Sequence, residues 1–150
     1  MKIELPRLFQ QEDYSCVPAC IRMVLLHLGY DYAESQICEV CETSDRGTGQ
    51  NQAVAGIEKL GFTVSKLKNE PFDLLKQFLA VGKPVIVLLD VHQLPYSKSN
   101  AGLHAVAVNG FDGHYISYID PARAEEIEIP VETFLRAWQE CGSLGLVIKP

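Results

Sequence analysis

The chain has 150 residues, 47% of them hydrophobic and 21% charged, with a net charge of −6 and a pI near 5.2. That size can bury a sizeable core in one domain. The acidic balance repels phosphate backbones and anionic lipid, so neither nucleic acid nor a membrane surface is an expected partner.

The opening MKIELPRLFQQEDYS lacks the apolar core of about 7–15 residues that marks a signal peptide. The longest strongly apolar run, VIVLL at 85–89, falls far below the roughly 20 residues of a membrane span. A cytoplasmic location without a membrane segment is therefore expected. Five cysteines cannot all pair with one another, and reduced thiols fit that setting. No repeat, low-complexity tract or linker divides residues 1–150, which predicts a single domain.

After an extended start, Ile21, Val24, Leu25 and Leu28 recur at helical spacing, with Ser15 as the N-cap, Pro18 in the first turn and Gly29 as the stop. Shorter helices are predicted over 34–41 and, after the polar loop TSDRGTGQ, over 51–60 with Gly61 ending the second. A strand at 62–67 and a helix at 72–81, opened by Pro71, follow. The texture then changes to strands at 84–90, 103–110 and 114–119, the last two joined around FDG. A short strand at 127–129, a helix at 131–140 and a strand at 144–148 close the chain. Helices first and strands later predict an α+β fold whose N-terminal helices pack on a C-terminal antiparallel sheet.

Cys16 stands at the first helix N-terminus, where the helix dipole favours the thiolate. An arbitrary cysteine is more often a buried structural residue. Gln10, six residues upstream, changes the balance. A thiolate attacking a carbonyl creates an oxyanion, for which the Cys16 N–H and the Gln10 carboxamide (or that of Gln11) would be donors.

Such a thiol needs a base, and the base an orienting partner. His27, His92 and His114 fall on a helix surface, at a loop start and in a turn. His104 instead sits inside GLHAVAVNG, among small residues that leave room for another element, and the next strand ends in IDP. With FDG as a three-residue loop, Gly110 faces His114 and His104 comes directly opposite Asp120. A two-residue DG turn would send His104 to the other face. Taken singly, His104 is a core histidine and Asp120 a turn-forming Asp-Pro. Taken with Cys16 and Gln10, they make a catalytic set.

FQQEDYSCVPACIRMVLLHLG, RGTGQNQAVAGIEKLGF and PVIVLLD…LHAVAVNGFDGHYISYIDP, in this order over about residues 9–121, resemble the papain-like bacteriocin-processing cysteine peptidases. These cut leader peptides after a double glycine and are often fused to an export transporter. The resemblance implies a papain-like fold and a peptide or protein substrate, a leader peptide among the options. Cys16 would be nucleophile, His104 base and acid, Asp120 its orienting partner and Gln10 the oxyanion donor, with no cofactor. Val17 stands where the family usually has glycine.

Two rival readings use the same residues. Cys16, Cys20, Cys38 and Cys41 have a spacing compatible with a four-thiolate zinc site, although Cys20 falls on the apolar helix face. A catalytically silent module of the same fold would bind peptide without cutting it. Tyr30, Tyr32 and Tyr96 read as ordinary aromatics, LPYSKSNAG as a flank of a groove, Trp138 as core and RAEEIEIP as a solvated edge.

Overall fold

Helix α1 (Cys16–His27) is apolar almost all the way round, and Val17, Ala19, Cys20, Ile21, Met23, Val24 and Leu25 are all buried. A helix of that kind belongs at the centre of a fold, not on its surface. The computed structural model, which describes residues 2–96 and 102–150, places it there. α1 packs chiefly on strand β3 (Leu103–Phe111).

The other elements are α2 (Glu34–Val40), α3 (Gln50–Lys59), β1 (Thr63–Leu67), α4 (Phe72–Ala80), β2 (Val85–Asp90), β4 (Tyr115–Asp120), β5 (Glu125–Pro130), α5 (Val131–Gln139) and β6 (Gly145–Lys149). The class is α+β, as the element order predicts. One antiparallel sheet of six strands runs β1-β6-β2-β3-β4-β5. Boundaries agree with the sequence reading to within about a residue, except that β5 begins at Glu125 rather than 127. One 3-10 turn, Val91–Gln93, occupies the start of the expected loop, capped by the Asp90 carboxylate, which accepts from the His92 amide at 3.0 Å. Most of the stretch expected to flank a groove, 97–101, lies outside the described residues.

α2 and α3 pack against each other through Gly56. A Cβ there would lie 2.5 Å from Cys41 Sγ and 2.9 Å from its Cα, so only glycine fits. Trp138 is core, with its indole N–H donating to the Leu144 carbonyl at 2.9 Å. RAEEIEIP is an edge strand, as expected, but a paired one. Lys2 bridges Glu126 and Glu128 at 2.9 and 3.2 Å.

The β3–β4 hairpin departs from the predicted register. Phe111 pairs with Ile116 and the Asp112 N–H donates to the Tyr115 carbonyl, so the turn has two residues, Gly113 and His114, with Gly113 at φ +100°. The Asp112 carboxylate accepts the His114 and Tyr115 N–H groups at 2.8 and 2.7 Å. Continued unbroken, that pairing would put His104 and Asp120 on opposite faces. A bulge between Val108 and Gly110 prevents this by inserting Asn109, after which Val108 faces Tyr118 and Ala107 faces Ile119. Continued one step, Asp120 faces Val106, and His104 stands diagonal to it on the same face. Direct opposition is thus corrected to a diagonal, which long side chains still span.

Asn109 is fixed from outside the hairpin. It is 1% exposed, and its Nδ2 donates to the Ile3 carbonyl at 2.9 Å and to Glu126 at 2.8 Å. Ile3 N–H donates to the Asn109 carbonyl at 2.7 Å, and Lys2 bridges Gly110. The N-terminal strand fragment therefore takes up β3 beyond Val108, where its pairing with β2 ends.

Candidate active site

β3 and the end of β4 bring His104 and Asp120 together. His104 Nε2 lies 2.6 Å from Asp120 Oδ1, with the two side chains only 16% and 4% exposed. Because Asp120 engages Nε2, the other ring nitrogen is left for the neighbouring Cys16 thiol. Cys16 opens α1 half-buried, and the backbone N–H groups of Ala105 and Val17 also face its sulfur.

The electrostatics follow from these neighbours. Burial pushes the Cys16 thiol up, yet the His104 hydrogen bond, the Ala105 and Val17 amides and the imidazolium charge outweigh it and leave the thiol below its usual value. Burial pulls His104 down, but Asp120 and Cys16 hold its imidazolium up at about 9. Burial likewise opposes Asp120, and the His104 bond and charge, the Ala122 N–H and Tyr96 keep it below the ordinary carboxylate range. Burial raises the four other thiols: Cys20 well above its usual value, Cys41 and Cys141 to about 11, and Cys38 more mildly.

The loop before α1 is tied to both sides of this pair. Gln10 N–H donates to the Pro121 carbonyl at 2.9 Å, directly after Asp120. The Gln10 carboxamide does not reach outward: Nε2 donates to the Glu12 and Asp13 carbonyls at 2.8 and 3.2 Å, and Oε1 is buried without a partner. Ser15, the expected N-cap, makes no side-chain cap bond. Its hydroxyl instead meets the Glu12 backbone and the carboxylate of Glu34, which is 2% exposed and also accepts the Gln11 N–H at 2.9 Å. Glu34 is a buried anchor of this loop that sequence reasoning missed. Its position at the start of a helix gave it the look of an ordinary first-turn acid.

Two tyrosines lie behind Asp120. Tyr96 Oη is 2.5 Å from Tyr118 Oη and 3.4 Å from Asp120 Oδ2, so Tyr96 is not the ordinary aromatic its sequence context suggests. An alternating strand pattern with Tyr118 two residues before Asp120 was the available signal, since both then face the same way.

Val17 is buried, and next to Cys16 it lines a small, open apolar hollow with Thr48, Gln50, Leu88, Gly145 and Leu146. Cys20 is fully buried in the core. Among the described residues no three His, Cys, Asp or Glu side chains converge as metal ligands, so the four-cysteine zinc arrangement is not assembled. Nor, among the described residues, is any helix long and apolar enough to cross a membrane.

Similar architectures are known. The peptidase domain of Streptococcus ComA, a bi-functional ABC transporter involved in quorum sensing, superposes with a TM-score of 0.79 at 23% identity, over 98% of this chain and 99% of that one. A C39-like peptidase from Bacillus anthracis gives 0.79 at 16% identity, over 100% and 98%. A double glycine motif protease from an AMS/PCAT transporter, solved with its leader peptide, gives 0.78 at 25% identity, over 99% and 94%. In sequence, an uncharacterized protein of Methanothermobacter thermautotrophicus is 24% identical over 141 residues, 94% of this chain and 87% of that protein. Residues 2–146 match the Peptidase_C39 like family, and the chain belongs to that family.

Proposed function

We propose that the protein is a cysteine peptidase that cleaves peptide amide bonds with Cys16 as nucleophile, His104 as acid and base, and Asp120 as its orienting partner. The observation that carries this reading is the contrast among the thiols: Cys16 is lowered while four others are raised, and it faces an imidazole anchored at 2.6 Å. The Cys16 thiolate attacks the carbonyl carbon, forming a C–S bond as the carbonyl oxygen becomes an anion. The Cys16 N–H and the Gln10 amide receive that charge, Gln10 first releasing its longer bond to Asp13. Collapse breaks the C–N bond, and His104 imidazolium gives its proton to the leaving amine. Neutral His104 then takes a proton from water, which attacks the thioester and returns the thiolate. No cofactor enters these steps, and the reduced thiols suit a cytoplasmic setting.

The similarity to a double glycine motif protease solved with its leader peptide supports a peptide segment ending in a double glycine as the substrate, with an apolar side chain directed to the hollow beside Val17. A second reading, peptide binding without cleavage, is favoured by one observation, that both Gln10 N–H groups are engaged within their own loop. A panel of double-glycine peptides separates the two. Cleavage by the native chain, lost in Cys16→Ala with stability changed by no more than about 1–2 kcal/mol, supports catalysis. Peptide binding with no product supports the silent module, and cleavage surviving Cys16→Ala refutes the nucleophile.

A further inference from the structure

We infer that Tyr96 and Tyr118 are positioning residues for the catalytic aspartate: Tyr118 holds the Tyr96 hydroxyl, and Tyr96 holds the carboxylate oxygen that His104 leaves free. The inference rests on the thiolate–imidazolium reading of the site and extends it by two residues.

The direction of each hydrogen bond in this cluster is fixed by chemistry. An ionised carboxylate only accepts. Asp120 Oδ1 receives His104 Nε2–H at 2.6 Å and the Ala122 N–H at 2.9 Å, and Oδ2 lies 3.4 Å from Tyr96 Oη. Tyr96 must therefore donate there. It has one proton, so the 2.5 Å bond between the two phenols must be donated by Tyr118. The direction of the whole chain is then fixed, from Tyr118 through Tyr96 to Asp120, with His104 donating from the other side. Without Tyr96 as acceptor, the hydroxyl of Tyr118, a residue that is 0% exposed, would lack this partner.

Tyr96 is itself held by the turn that follows Asp120. The Arg123 guanidinium lies 4.8 Å from its ring centroid and donates to its carbonyl at 3.3 Å. The same turn folds back on Asp120, whose carbonyl accepts the Arg123 and Ala124 N–H groups at 3.1 and 2.8 Å. The titratable and charged groups facing the carboxylate are His104 from β3, Cys20 and, through His104, Cys16 from α1, Tyr118 from its own strand, Tyr96, and Arg123 beyond the phenols. Glu125, opposite Asp120 on β5, is exposed. Burial pushes both phenols well above their usual range, so they remain donors throughout the working pH.

The expected consequence has a sign. Removing the Tyr96 hydroxyl takes a donor from Oδ2, which raises the carboxylate pKa and frees its rotation. His104 loses its anchor at a higher pH, so formation of the Cys16 thiolate shifts upward. At 3.4 Å the bond is long for two oxygens, and a shift of roughly half to one pH unit is expected.

The test is the pH profile of Cys16 alkylation by iodoacetamide, followed with thermal unfolding, in the native chain, Tyr96→Phe, Tyr118→Phe and the double variant. The inference expects Tyr96→Phe to move the acid limb upward, Tyr118→Phe to move it less in the same direction, and the double variant to match Tyr96→Phe, since Tyr118 acts only through Tyr96. A limb left in place while the melting temperature falls would make the pair merely structural and overturn the inference alone. So would additive shifts in the double variant. A native chain with no low-pH limb would overturn the thiolate reading, and the inference with it.

Discussion

Cys16 and Cys20 stand one turn apart on the same helix, yet their thiols move in opposite directions. Both pay for burial. Cys20 points into the core, where nothing offsets that cost and Cys16 and Asp120 add their negative charge. Cys16 meets the Ala105 amide and an imidazole that Asp120 keeps protonated. The helix dipole favours a thiolate at Cys16, but the strand on the other side decides the outcome. On the proposed reading, reactivity belongs to the α1–β3 contact, and neither element carries it alone.

The largest effect should come from removing that strand's contribution. His104→Ala should make Cys16 resemble the other thiols, lowering its alkylation rate near pH 6 by roughly 10²–10³-fold with the fold retained by circular dichroism. An unchanged rate would mean that helix position alone arms the sulfur. If the chain cleaves peptides as proposed, the same pair sets the pH window. With His104 raised to about 9, the imidazolium that protonates the leaving amine is present below that pH and lost above it, so kcat/KM should decline on the alkaline side of about 9.

A structural change comes next. Asn109→Ala removes the side-chain bonds to Ile3 and Glu126 that stabilise the bulge, and should lower stability by about 2–3 kcal/mol in chemical denaturation. Register is what the bulge protects, so cleavage should fall by more than the loss of folded protein explains. The smallest effect belongs to the inert member of the comparison. Cys20→Ala should cost about 1–2 kcal/mol as a small core deletion and leave Cys16 alkylation within about twofold. A large change in Cys16 reactivity would show that the buried thiol participates.

The elements of this fold are readable from the chain because their signals are local: helical periodicity at Ile21, Val24 and Leu25, the glycine stops, the β-branched run of β2. His104 and Asp120 were legible as neighbours for a weaker reason. The predicted pairing and the observed one differ by a two-residue step, which preserves the face. The step itself comes from a two-residue turn and a bulge, and the bulge depends on Lys2 and Ile3, more than a hundred residues away in sequence. No hairpin-level reading contains that partner. Ser15 was legible as a helix boundary but not as a ligand of Glu34, because the buried carboxylate that claims its hydroxyl arrives from another helix. Tyr96 and Tyr118 escaped for the same reason: a phenol becomes specific only through the oxygen it faces.

The most direct measurement is site-resolved labelling with limiting iodoacetamide near pH 6, read by mass spectrometry of the peptides carrying each of the five cysteines. Cys16 should be modified first, by roughly 10²-fold or more over half-buried Cys38 and Cys141. Modification of Cys38 or Cys141 at the same rate as Cys16 would contradict the thiolate reading.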